Sequence, residues 1–369
     1  MSSRSLSRLL NLARAWIDTR LRRPVLGAYP LRVHLELNDY CNLACPMCAR
    51  SAAHVPKNTG NMDIRVVEAL RPAFRRALHV GLAGNGEPFL HPRFSDILDI
   101  VSREGAVPSV LSNCTLLDAE WARRMTRRRP MILIASIDGG TKEVYEAMRP
   151  PAKFETVREN LLNLRREKEK RGAPYPVVQF IVTLCTINEH DLPHLVDLAR
   201  ECGAARISIQ NVYPYTESVR DIQIDDPARA EAAVARARQR AAAHGLPVDY
   251  YPVARGLSER LKRQGSLGTP AYDGRTTRLY CPNIWTILHV EIGGDVRLCC
   301  LSNRAKLGNV LDRPVMELWN HPLMVETRRH MLQGGIPPDC PDCHLLSRWI
   351  DARPGRQIRR DLRDLWNQQ

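Results

Sequence analysis

No segment of this 369-residue chain stays apolar for the roughly 18 residues that a membrane-crossing helix requires. The first residues, MSSRSLSRLLNLARAWIDTRLRRP, lack both an apolar core and a small-residue cleavage site. They do not read as a secretory signal, and the expected location is the cytoplasm. No period of solenoid type repeats along the chain. Lysine is scarce: only 7 of the 54 basic residues are Lys, the other 47 being Arg. The net charge of +14 is spread along the chain without a recognisable nucleic-acid module, so no nucleic-acid partner is expected. An arginine-favouring composition explains most of that charge, and an anionic substrate or surface is the functional alternative.

Cysteine is the residue present in excess. Eleven cysteines in a chain without a secretory signal read as metal ligands rather than disulfides. Three fall within eight residues, in HLELNDYCNLACPMCARS: Cys41, Cys45 and Cys48, spaced C-x3-C-x2-C. Three thiolates leave a tetrahedral zinc one ligand short, or one iron of a four-iron cluster without a protein ligand. Either way the open position is where chemistry happens. A second set comprises Cys281, Cys299 or its neighbour Cys300, and the C-x2-C pair Cys340 and Cys343. Four converging thiolates suit a closed zinc site or a fully ligated cluster. Adjacent strand residues face opposite sides, so one of Cys299 and Cys300 is the ligand, and the G-x4-C spacing from Gly294 favours Cys299. Cys114, Cys185 and Cys202 stand alone and read as buried thiols.

Residues 1–30 form a basic amphipathic N-terminal segment. Leu6, Leu9, Leu10, Ala13, Trp16 and Ile17 share one helical face, opposite the arginines. That helix is expected to cover an end of the main domain, with a peripheral membrane contact as the alternative. From residue 31, strand and helix alternate six times up to residue 252, which means a parallel α/β sheet with its site at the carboxyl ends of the strands. Six repeats fall short of the eight of a complete barrel. Residues 253–278 read as a linker or lid, 279–350 as a small α+β unit of β-hairpin, helix and C-x2-C, and 351–369 as a basic tail.

Four motifs stand after successive strands: the three-cysteine loop preceded by Tyr40, then GNGEP (84–88), LSNCTLL (111–117) and SIDGG (136–140). Together they resemble the radical S-adenosylmethionine (SAM) superfamily. GNGEP is similar to that family's GGEP with Asn85 inserted between the glycines. LSNCTLL is similar to its T-N-G-T-L-L, with Ser112 for Thr and Cys114 for Gly. The segment from Cys281 onward resembles the SPASM/twitch extension of the same enzymes, in the shorter form with one auxiliary cluster.

The resemblance implies a partial (β/α)6 barrel with a small C-terminal twitch-like domain. It implies a [4Fe–4S] cluster on Cys41, Cys45 and Cys48 that cleaves SAM to a 5′-deoxyadenosyl radical. A second, auxiliary [4Fe–4S] cluster would rest on Cys281, Cys299, Cys340 and Cys343. Gly86, Glu87, Asn113, Ser136 and Arg149 are then the expected SAM contacts: Gly86 for close backbone approach, Glu87 for the ammonium, Ser136 for the carboxylate or ribose, and Arg149 (or Arg158) for the carboxylate. The expected activity is oxidation or rearrangement of a small polar metabolite, with a peptide- or protein-modifying maturase as the alternative. An external donor such as flavodoxin or ferredoxin would supply electrons.

Overall fold

Seven segments, six of them marked by Val, Ile and Leu, become parallel strands of one sheet. They are β1 (Arg32–Glu36), β2 (His79–Ala83), β3 (Val107–Ser112), β4 (Ile132–Ser136), β5 (Val177–Leu184), β6 (Ile207–Asn211) and β7 (Val248–Tyr251). The computed structural model describes residues 3–51, 55, 59–127, 130–214, 216–252, 281, 283–300, 306–333, 337–338 and 340. The expected linker 253–278, the ligand Cys343 and the tail 351–369 lie outside them. The six expected strands are present. β7 is an addition: its four residues are half-exposed throughout, so neither an apolar run nor an alternation marks them in the sequence.

Three more strands extend the sheet beyond β1: β8 (Ile287–Val290), β9 (Asp295–Arg297) and β10 (Lys306–Asn309). The order is β10-β9-β8-β1-β2-β3-β4-β5-β6-β7. β8 runs parallel to β1, pairing Arg32 with Ile287 and His34 with His289. The β8–β9 hairpin expected around Gly293–Gly294 is present, and Gly294 takes the φ of 90° that its turn requires. The C-terminal unit is therefore hydrogen-bonded into the barrel's own sheet.

Helices cover the outer face. Asp118 caps the helix Ala119–Thr126 through the Trp121 N–H at 2.8 Å, and Gly105, with φ 90°, closes Phe94–Glu104. The segment 63–77 forms two helices, Ile64–Ala69 and Arg71–Phe74. Pro72 has no N–H to carry the first helix's ladder onward. Val33, Leu35, Val80, Leu82 and Val110 are fully buried against these helices. The alternate residues, including Arg32, His34, Glu36, Ser136 and Thr183, are only half-buried on the inner face. A parallel sheet covered on both faces would bury both sets. Here the inner face stays partly open and polar.

The N-terminal helix α1 (Ser3–Arg20) lies under the amino-terminal ends of β1 to β3. Leu12 and Ala15 pack on Leu31 and Leu78, the residues just before β1 and β2. Asn11 Nδ2 donates to the carbonyls of Tyr29 and Arg76, both at 3.2 Å, while Asn11 Oδ1 accepts from Tyr29 N at 2.8 Å. Asp18, fully buried, accepts from Gly27 N and Ala28 N at 2.8 and 2.9 Å. The helix covers the barrel end as expected, but through a face other than its apolar stripe.

Candidate active site and iron–sulfur ligands

The loop after β1 carries Cys41, Cys45 and Cys48 to the carboxyl end of the sheet, and none of the three is in a disulfide. The loop is braced at several points. Asp39 accepts from the Thr59 N–H at 2.9 Å and the Thr59 hydroxyl at 2.7 Å. Arg50 donates to the Asp39 carbonyl. Cys48 N donates to Cys45 O at 3.1 Å, and Ala44 N to Pro150 O at 2.8 Å.

Burial pushes the Cys41 thiol up and the Cys45 thiol up to about 12; each also feels the charge of the other cysteines, while Arg149 pulls Cys45 back. Thiols so placed stay protonated at neutral pH unless a metal takes the proton's place. Among the described residues no three His, Cys, Asp or Glu side chains converge closely enough to hold one ion. Three thiols on one loop fit a cluster in which each thiolate takes a different iron.

The GNGEP loop is clipped to the cysteine loop. Glu87 N donates to Tyr40 O at 2.6 Å, and Asn38 Nδ2 donates to Glu87 O at 3.1 Å. A Cβ on Gly86 would stand 1.9 Å from Asn38 Oδ1 and 2.5 Å from Tyr40 O. Gly86 is thus needed for contact between two loops. Gly86→Ala should cost about 1–3 kcal/mol through the forced shift of Asn38 and Tyr40. Denaturant unfolding, with iron per chain measured alongside, checks this, and unchanged values in both would refute it.

Glu87 is also turned inward. Its carboxylate is 2% exposed and accepts from Ser112 Oγ and Asn113 N, both at 2.8 Å, and from Phe89 N at 3.2 Å. Burial raises its pKa, and these donors together with Arg149 oppose the rise. The side chain ties the loop after β2 to the loop after β3.

Asn113 does reach the cysteine loop. Its Nδ2 donates to Asn42 Oδ1 at 3.0 Å and lies 4.0 Å from Cys41 Sγ; its Oδ1 accepts from Thr115 N and Oγ1, making a turn. Cys114, where the family motif has Gly, takes φ 60° and is wholly buried, which explains the family's glycine. Ser136 is half-buried at the carboxyl end of β4, on the inner face.

Arg149 has a carboxylate partner within the chain. It lies 2.5 Å from Asp138 Oδ2, both groups being buried, and Asp138 Oδ1 accepts from Thr183 N at 2.6 Å. Burial alone would lower the Arg149 pKa, but Asp138 and Cys45 more than offset this and keep it cationic. Arg158 pairs with Glu201 on the outside of the barrel, away from the cysteine loop.

Sequence reasoning missed the inner-face polar groups around Glu36. A Cβ on Gly81 would meet the His34 ring at 2.7 Å, and one on Gly84 would meet Glu36 Cγ at 2.6 Å. The two glycines therefore make room for His34 and Glu36. Glu36 Oε1 accepts from Asn85 Nδ2 at 2.8 Å. Burial raises the Glu36 pKa, with Asn85 and Arg297 pulling it down and Glu291 pushing it up. His34 and His289 meet edge to face at 5.4 Å, and burial takes His289 down to about 3. The i, i+2 alternation of polar residues in β1, inside a sheet otherwise apolar, was the available signal.

Of the second cysteine set, Cys281 is buried and packs in the main core, Cys340 borders the same core, and Cys299 is half-buried while Cys300 is exposed. The burial order agrees with Cys299 as the ligand. Cys281 precedes β8, and Cys299 follows β9, which runs antiparallel to it. Both therefore leave the hairpin at the amino-terminal end of β1, opposite the Cys41–Cys48 loop.

The mostly parallel α/β sheet thus carries three closely spaced cysteines at one end of β1 and further cysteines at the other. Residues 35–199 match the family model of the radical SAM superfamily, and residues 281–344 match that of an iron–sulfur cluster-binding domain. The two models together span more than half of the chain, and the chain belongs to the radical SAM superfamily. SAM and a [4Fe–4S] cluster are the cofactors of the first domain, and auxiliary iron–sulfur binding belongs to the second.

The chain is 22% identical over 320 residues to the tungsten-containing aldehyde ferredoxin oxidoreductase cofactor-modifying protein of Pyrococcus furiosus, covering 85% of this chain and 87% of that one. It is 27% identical over 304 residues to the PqqA peptide cyclase of Streptomyces rochei, covering 80% and 77%. Streptococcus suis SuiB bound to S-adenosylmethionine has the same fold, with a TM-score of 0.64 at 14% identity, covering 86% of this chain and 71% of that one.

Proposed function

We propose that this radical SAM enzyme modifies a peptide, using Cys41, Cys45 and Cys48 for the SAM-binding cluster and Cys281, Cys299, Cys340 and Cys343 for an auxiliary one. The observation that carries the reading is the alignment of 80% of the chain with a PqqA peptide cyclase, alongside the radical SAM and iron–sulfur domain matches of this chain. The SuiB fold, also known with a precursor peptide bound, supports it at the level of architecture. The relatives favour this reading over the small-metabolite oxidation expected from the sequence, although the Pyrococcus furiosus relative is named for modifying a cofactor.

The cluster and SAM supply a carbon-centred radical that takes hydrogen from the substrate. The chain's own part is to orient the reactants and manage the proton. The Cys41 to Cys48 loop, braced by Asp39 and by Asn113, holds the cluster end. Glu36, on the inner face and held by Asn85, is the group placed to accept the proton of a substrate heteroatom. Burial raises its pKa, which makes it a stronger base than an exposed carboxylate.

Glu36→Gln should leave 5′-deoxyadenosine formation intact while modified product falls about 100-fold or more. A product rate equal to wild type would remove Glu36 from the role. The substrate class is tested by co-expressing the gene with the short open reading frames beside it and weighing the peptides by mass spectrometry. A mass change that needs SAM and intact Cys45 supports the peptide reading. Unchanged peptides, with oxidation of added sugars or aminocyclitols instead, would restore the small-molecule reading.

A further inference from the structure

The apolar stripe of α1 points outward. Leu12 and Ala15 face the barrel, whereas Leu6 is 50% exposed, Leu10 61%, Ile17 43% and Leu21 58%, with Leu9 and Trp16 beside them at 40% and 44%. At 100° per residue, Leu6, Leu10, Ile17 and Leu21 lie within a single sector opposite Ala15. Seven of the nine large apolar side chains exposed among the described residues fall between residues 6 and 25, so this is a patch and not scatter.

Along residues 1–30 the exposed charge has one sign. Residues 1–30 contain six Arg and one acid, Asp18. Asp18 is fully buried and held by Gly27 N, Ala28 N and Arg23. Arg14, Arg20, Arg22 and Arg23 are exposed at the rim. An outward apolar ridge carrying Trp and Leu, with arginines and no exposed acid, is the pattern of a helix that lies in a lipid interface.

We propose that α1 docks the protein on an anionic lipid surface, with its apolar ridge inserted and its arginines among the headgroups. Among the described residues no helix is long and apolar enough to cross a membrane, so the contact is peripheral. A second copy of the chain is disfavoured on this face, because apposing two such helices brings like charges together. The chain's own tail is no better matched: residues 351–369 hold five Arg against three Asp. The inner side of α1 is fastened beneath the amino-terminal ends of β1 to β3, through Leu31, Leu78 and the carbonyls of Arg76 and Gly105. Docking by the outer side therefore turns the cysteine loop, at the opposite end of β1, away from the lipid and leaves it open to a substrate arriving from solution.

The test is co-sedimentation of the full chain with vesicles of phosphatidylcholine alone and with vesicles that also contain phosphatidylglycerol. Binding is expected to the anionic vesicles, to weaken with salt, and to fall about tenfold or more in Leu10→Glu/Ile17→Glu. Both side chains are exposed, so circular dichroism of that variant should match wild type. Arg14→Glu/Arg20→Glu should remove most of the preference for anionic vesicles. Equal sedimentation with both vesicle types, or binding unaffected by the leucine and isoleucine changes, would overturn the proposal. So would a concentration-dependent dimer that Leu10→Glu/Ile17→Glu abolishes, in protein that ignores vesicles.

Discussion

Changing Cys41, Cys45 and Cys48 together to alanine should abolish SAM cleavage and remove about four irons per chain, with the auxiliary cluster's share retained. The effect is large because the three thiols are the cluster's only expected protein ligands. It should also be local. The loop's path is held by Asp39 with Thr59, by Ala44 with Pro150 and by Tyr40 with Glu87, none of which uses a thiol. Burial that pushes Cys45 to about 12 destabilises a bare thiolate there, so alanine removes no favourable charge from the metal-free fold. Far-ultraviolet circular dichroism should match wild type, while 5′-deoxyadenosine falls to background with dithionite present. Retained SAM cleavage in the folded triple variant would move the reactive cluster elsewhere.

The chemistry-bearing loops were legible because motif order and strand order coincide. Three cysteines after the first strand, GNGEP after the second, LSNCTLL after the third and SIDGG after the fourth can only converge at one end of a parallel sheet. Local signals with a local cause were also readable, such as Asp118 at its N-cap and Gly105 in the left-handed region.

What the sequence concealed depends on partners far along the chain. β8 has the appearance of a separate hairpin strand until its register with β1 places His289 beside His34. Gly86 and Glu87 carry motif identity, yet their contacts go to Asn38, Tyr40, Ser112 and Asn113 of neighbouring loops. The stripe of α1 shows amphipathicity, but not which side meets the barrel. That is decided by Asn11 and Asp18, which find backbone partners at Tyr29, Gly27 and Ala28 and turn the helix over. A buried N–H left unpaired would cost about 1–3 kcal/mol, and Asn11 and Asp18 satisfy three backbone N–H groups.

Arg149→Met should destabilise the protein by about 3–5 kcal/mol, the range for removing one partner of a buried ion pair. Asp138 is fully buried, and Arg149 is its counter-charge at 2.5 Å. Without the guanidinium, burial raises the Asp138 pKa unopposed except by the Thr183 N–H. A folded-state pKa above the unfolded one means that the folded form holds the proton longer. The variant's stability should then fall as pH rises through the ordinary carboxylate range and beyond.

Asp138→Asn/Arg149→Met separates two roles. If the pair acts only on itself, the double variant should recover much of the lost stability, because no buried charge is left unpaired. Arg149 also lowers the burdened thiol of Cys45, so the second role concerns the cluster. In the double variant iron content, or the midpoint potential read by electron paramagnetic resonance under a graded reductant, should stay displaced from wild type after stability has returned. Stability and cluster properties recovering together would make Arg149 a structural partner of Asp138 alone. Recovery of stability without the cluster properties would establish it as the cation that positions and balances the charge at Cys45.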